Sequence, residues 1–184
     1  MNVLFLDFDG VINTPVGIDE NGNIIDNYYS VADKKVNNFV AVKLIEQLCK
    51  KYNLRIVVQS RGWRNYIVPD EYGNVRYRPY KSYLVNSGMD ESIIEGHVPF
   101  FKDEEKGDEI DDYLLKHKVE KFIVIDDNDN NGVDKSLLRF GDNLIVCDGD
   151  RGFTEREFKT AERILSRENK YQVSRKKDID DEQK

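Results

Sequence analysis

Cysteine is scarce in this chain of 184 residues: there are two, Cys49 and Cys147, and no metal-ligand spacing joins them. That excludes a disulfide framework and a thiolate metal cluster, and both side chains are expected to be reduced and packed inside. Histidine is as rare. His97 and His117 have no nucleophile-like neighbour in sequence, so a serine or cysteine triad is not expected. No apolar run approaches the length of a membrane span. The first short one ends in an acid and has no basic leader, so no signal peptide is read and the cytoplasm is the expected compartment. An excess of positive charge is absent too. The formal net charge of -7 argues against a surface that grips nucleic acid non-specifically through its phosphates. A phosphorylated ligand would have to be held by a few placed cations and backbone donors.

What is present is a soluble-type composition, 34% charged and 11% aromatic, with a length that suits one domain over residues 1–172. Residues 173–184, with SRKKDIDDEQK at their heart, have no apolar periodicity and read as a solvated tail. Residues 2–8, 54–60, 121–127 and 143–148 read as strands, most of them continuous apolar runs. SIIEGHVPF offers another. Asn21-Gly22 signals a hairpin. Gly73-Asn74 suggests a second. Helical spacing covers about 35–52, closed by Asn53, then 79–86, the stretch EKGDEIDDYLLKHK, and a segment to about 167 opened by the Thr154/Glu157 capping box. Alternating strands and helices with apolar strands imply an α/β, doubly wound three-layer sandwich around a central parallel sheet. The insertions are too short for a full cap domain and leave a small hairpin flap.

In such sheets ligands bind beyond the carboxyl ends of the strands. Here the strands finish in VLFLDFDG, LRIVVQS and KFIVIDD, which would gather Asp7, Ser60, Asp126 and Asp127 at one rim. Alternate side chains of a strand share a face, so Asp7 and Asp9 are expected to point the same way and Phe8 the other. Carboxylates crowded together out of water need a cation between them. With no histidine or cysteine among them, a hard ion such as Mg²⁺ is the expected cofactor.

DFDGVI resembles the first motif of the haloacid dehalogenase superfamily, a DxD pair after the first strand. Ser60 matches the second-motif hydroxyl, Lys106 in EEKGDEI the third-motif lysine, and VIDD at 124–127 the acidic fourth motif. The likeness spans about residues 3–165, with GFTEREFKTAERIL resembling the closing helix of small members. It implies Asp7 as nucleophile and metal ligand, and Asp9 as acid and base that also lends its backbone carbonyl to Mg²⁺. It further implies that Asp127 with Asp126 in support, or the reverse, completes the metal set. Lys102 rivals Lys106 for the cation's role. An acid at position 9 implies a phosphatase or phosphotransferase rather than a dehalogenase. Phosphate monoester hydrolysis is slow enough in water that the catalysed gain can approach about 10²¹-fold, so this apparatus is proportionate.

Arg61 and Arg64 flank Trp63, which reads either as exposed arginines at a helix start or as a substrate clamp of cations around an aromatic face. With Gly10 in the turn after Asp9 they form the expected substrate contacts. DNDNNG at 127–132 fits the first half of a calcium loop, but position twelve is Leu138 and a strand precedes it. The expected activity is a Mg²⁺-dependent phosphomonoester hydrolase. Phosphotransfer to another acceptor and a non-catalytic metal-binding module are the alternatives. The open site and the likeness to small nucleic-acid-repair phosphatase domains point to a nucleotide, another small phosphate ester or a phosphorylated polynucleotide end.

Overall fold

The computed structural model describes residues 1–26, 36–63, 67–69, 75–77, 80–101, 104–129, 132–167 and 171. Arg64, Lys102, the Gly73-Asn74 turn and the expected tail lie outside them. Five parallel strands carry the fold: β1 (Asn2–Leu6), β2 (Leu54–Val58), β3 (Ile94–His97), β4 (Lys121–Asp129) and, after the two-residue β5 (Gly132–Val133), β6 (Leu144–Asp148). Their spatial order is β6, β4, β1, β2, β3, with β5 antiparallel against the end of β4. β1 lies at the centre, as its uninterrupted apolar run requires.

Alternation sorts the strand side chains onto two buried faces. Leu4, Leu6, Ile56, Val58, Ile123 and Ile125 pack on one side. That side is covered by α1 (Phe39–Tyr52), α2 (Tyr80–Asn86) and, late in the chain, the helix Glu155–Leu165. Val3, Phe5, Val57, Phe122 and Val124 face the other way, against Ile110 and Tyr113 of α3 (Lys106–Lys116) and Leu137 and Phe140 of the 3₁₀ segment Lys135–Asn143. This is the expected three-layer α/β sandwich. The last helix, α4, has its Thr154/Glu157 capping box in place. Asn53 closes α1 in the left-handed conformation, φ 51°. Cys49 and Cys147 are buried and unbridged.

Among the described residues, the strand pairs outside the main sheet are two or three residues long: Asn13–Thr14 with Val36–Asn37, Val16–Ile18 with Ile24–Asp26 across Asn21-Gly22, and Ile67–Pro69 with Val75–Tyr77. No described helix is long and apolar enough to cross a membrane.

One expectation is corrected. β1 stops at Leu6, so Asp9 is not a strand residue. The Phe8 carbonyl accepts the backbone N–H groups of Val11, Ile12 and Asn13 and folds the chain back on itself. Gly10 permits that turn at φ +85°.

Candidate active site

The register of the sheet builds the site. Leu6 lies beside Val58 on β2 and Ile125 on β4, and the next ladder bonds run from the Asp7 N–H to the Ile125 carbonyl and from the Gln59 N–H to the Leu6 carbonyl. Gln59, Asp7 and Asp126 therefore stand level, one residue past the ends of β2 and β1 and within the last half of β4. By parity they continue the face that packs on α3. Gln59 Nε2 donates to Asp126 Oδ2 at 2.6 Å and to the Ile125 carbonyl at 3.3 Å.

Lys106, the first residue of α3, reaches into this layer from above. Its Nζ lies 3.2 Å from Asp7 Oδ1 and 2.8 Å from Asp126 Oδ2. The start of α3 is seated by close approach. Gly107 N–H donates to Ser136 Oγ at 2.9 Å, and a Cβ on Gly107 would come within 2.4 Å of the Ser136 carbonyl oxygen. The cation foreseen beside the acids is thus supplied in part by the protein. Asp127, one residue on, has the opposite parity. There it meets the turn after β1: a Cβ on Gly10 would fall 2.0 Å from Asp127 Oδ2.

Asp7, Asp126 and Asp127 each offer an oxygen within 4.8 Å of the others. Three buried carboxylates against one ammonium leave the cluster short of positive charge. Burial, opposed by Lys106 and reinforced by Asp126 and Asp127, raises the Asp7 pKa to about 7. Burial alone would pull Lys106 down, but Asp7 and Asp126 outweigh it and hold the ammonium above the ordinary lysine range. An all-oxygen donor set short of positive charge suits a hard divalent cation, and the cluster fits one. A cleft of about 340 Å³ opens beside it, lined by Lys106, Asp126, Asp127 and residues 132–135. A larger hollow of about 660 Å³ sits near Lys121, at the opposite end of β4.

Asp9 occupies a separate corner. Its Oδ1 accepts from Asn13 Nδ2 at 3.1 Å and its Oδ2 from Trp63 Nε1 at 3.2 Å. Phe8, Trp63 and Tyr83 pack on one another, with Trp63 and Tyr83 ring centroids 4.3 Å apart. Ser60 is buried at the end of β2. Arg61 is turned toward α3, its Nη2 donating to the Glu104 carbonyl and lying 3.4 Å from buried Glu109 Oε1. The two histidines are tied to backbone, each with Nδ1 on a carbonyl oxygen, Val98 for His97 and Tyr113 for His117. In the stretch 127–132, β4 runs to Asp129 and pairs back with Gly132, so a strand does precede it.

Sequence reasoning passed over Gln59, Asn13 and Tyr83. Gln59 was legible in principle, since it immediately precedes Ser60 and must sit beside Asp7 once the strands are in register. Asn13 and Tyr83 carry no such signal, because short insertions place them.

Residues 3–158 match the model of the family described as the HAD domain in Swiss Army Knife RNA repair proteins. No curated protein and no solved structure gave a match.

Proposed function

Since the chain belongs to the HAD domains of Swiss Army Knife RNA repair proteins, we propose that it is a Mg²⁺-dependent phosphomonoester hydrolase acting through an aspartyl-phosphate on Asp7. The proposed substrate is a phosphorylated nucleic-acid end or a nucleotide. The observation that carries this reading is Lys106 Nζ between Asp7 and Asp126, within a cluster whose three carboxylates approach to 4.8 Å. What supports it is that the Lys106 ammonium beside Asp7 would draw a phosphoryl anion to that carboxylate.

Asp7 and Asp127, with Asp126 in support and the backbone carbonyl of Asp9, would hold the metal, which supplies Lewis-acid screening of the phosphoryl oxygens. An Asp7 oxygen forms a bond to phosphorus as the bond from phosphorus to the leaving oxygen breaks, and Asp9 gives that oxygen its proton. Water then attacks the same phosphorus, its proton passes to Asp9, and the bond to Asp7 breaks to free phosphate. Lys106 and the Ser60 hydroxyl hold the equatorial oxygens, whose charge they stabilise through both steps. The Gly10 turn lets the phosphoryl group come close to backbone. Arg64 is the proposed cation toward the rest of the substrate, and Arg61, which is turned toward the Glu104 carbonyl and Glu109, would have to leave those partners to join it. The net charge of -7 restricts recognition to the phosphorylated end rather than to a long tract of backbone.

The test is release of nitrophenolate from p-nitrophenyl phosphate by the purified protein with Mg²⁺ and with a chelator, followed by a panel of sugar phosphates, nucleotides and end-phosphorylated oligonucleotides. Metal-dependent release is expected, with the best rates on the nucleic-acid members. No release above the chelated control with any of several divalent ions would remove the catalytic reading.

A further inference from the structure

The acid-base corner is held by residues the proposed chemistry does not name. Asp9 lies in a turn rather than in the sheet. Two neutral donors hold its side chain, Asn13 Nδ2 at 3.1 Å and Trp63 Nε1 at 3.2 Å, one on each carboxylate oxygen. Asn13 is itself held: its Oδ1 accepts from the Tyr83 hydroxyl, and that hydroxyl accepts from Asn37 Nδ2 at 3.5 Å. Tyr83 and Trp63 stack on one another and on Phe8, the buried residue before Asp9. Burial, against the bond donated by Asn37 and helped by the nearby Asp9, keeps the Tyr83 phenol above its ordinary pKa, so it remains a donor. Two donors thus meet on one carboxylate, and Tyr83 and Asn37 back one of them.

Resting on the hydrolase reading above, we propose that Trp63 and Asn13, backed by Tyr83, are positioning residues that orient the Asp9 carboxylate for proton transfer to the leaving oxygen. A carboxylate with one oxygen pinned can still swing; with both pinned by donors from different segments it is held in plane, as proton transfer over hydrogen-bond distance requires. The indole N–H is the informative half. Phenylalanine keeps the stacking and deletes the donor.

The experiment compares phenyl phosphate, whose leaving phenolate is the stronger base, with p-nitrophenyl phosphate, whose leaving group needs little help from an acid. Trp63→Phe is expected to lower the ratio of the phenyl phosphate rate to the nitrophenolate burst rate by about tenfold. In a double-mutant cycle with Asp9→Asn it is expected to add nothing further. A purely structural effect would slow both substrates alike and add to Asp9→Asn, and either result overturns the proposal, as does an unchanged ratio. If Trp63→Phe does not fold, Asn13→Ala cuts the other bond and carries the same expectations. If Asp9→Asn itself leaves the ratio intact, the acid-base assignment of Asp9 fails instead, which separates the two claims.

Discussion

Asp7 and Asp9 are two residues apart, yet different physics holds each. Asp7 sits at the very end of the sheet, one residue past β1. Its backbone continues the ladder to β4, its level is shared by Gln59 and Asp126, and its main partner is a charge, Lys106. Asp9 has left the sheet and is held by neutral N–H donors from the insertions that follow β1 and β2. The difference teaches that strand register, a property of any parallel α/β sheet, builds the Asp7 half of this site, whereas the short insertions after β1 and β2 build the Asp9 half. Substitutions should therefore act differently at the two corners.

The largest effect is expected at Asp7. Asp7→Asn should lower turnover on p-nitrophenyl phosphate by on the order of 10⁴-fold or more, since removing a nucleophile removes the covalent route. Because burial and two neighbouring acids disfavour its ionised form, the metal-free variant should melt no lower than the parent at about pH 8, as thermal denaturation would show. A large fall in Tm together with lost activity would mean that Asp7 is chiefly structural. The neighbouring Gly10→Ala should be milder in turnover and harsher in stability. At φ +85°, and with its Cβ directed onto Asp127 Oδ2, it should cost more than about 1 kcal/mol in denaturant unfolding and weaken Mg²⁺ binding measured by calorimetry.

Titration sharpens the contrast, because the Asp7 corner crowds three carboxylates around one ammonium. The folded protein keeps a proton on Asp7 up to about pH 7, whereas the unfolded chain loses it near 3.8. The folded state thus binds more protons between those values, so this contribution to stability is full below the lower one and is lost as pH rises through the upper. A divalent cation that takes the ionised carboxylates reverses the loss. The rise in Tm on adding Mg²⁺ should therefore be small at about pH 5 and largest above about pH 7. A rise independent of pH would place the cation away from Asp7.

The same division explains what could be read from the residues alone. Apolar runs ending in acids at Asp7 and Asp126-Asp127 made the parallel sheet, its two covered faces and the gathering of acids legible, because strand parity and register carry over once the strands are assigned. The capping box at Thr154 and the Asn53 helix stop are local chemistry and read equally well. The break after Leu6 did not. It depends on the Phe8 carbonyl collecting three N–H groups, a backbone event with no composition signal beyond one glycine. Trp63 between two arginines suggested a clamp, but the structure commits its indole N–H to Asp9 and turns Arg61 toward Glu109. Both partners are distant in sequence, and pairing at such range is set by tertiary packing rather than by any local pattern.

The smallest effect tests how far the Asp9 corner extends. Tyr83→Phe keeps the ring in its stack with Trp63 and Phe8 and removes the hydroxyl that donates to Asn13 Oδ1. The Asn13 amide then loses one of its anchors, while its bond to Asp9 and the indole bond remain. Standing one hydrogen bond further from the carboxylate, the change should slow phenyl phosphate hydrolysis by roughly threefold, less than Trp63→Phe, because each bond removed from the reacting group transmits only part of its restraint. Mg²⁺ affinity should be unaltered, as Asp7, Asp126 and Asp127 are held from other elements and the Asp9 carbonyl belongs to a turn closed by backbone bonds to the Phe8 carbonyl. A loss as large as that of Trp63→Phe would show that the hydroxyl and Asn13, rather than the indole, set the position of Asp9. A matching loss of metal affinity would show that the two corners are one mechanical unit, and the contrast between Asp7 and Asp9 would dissolve.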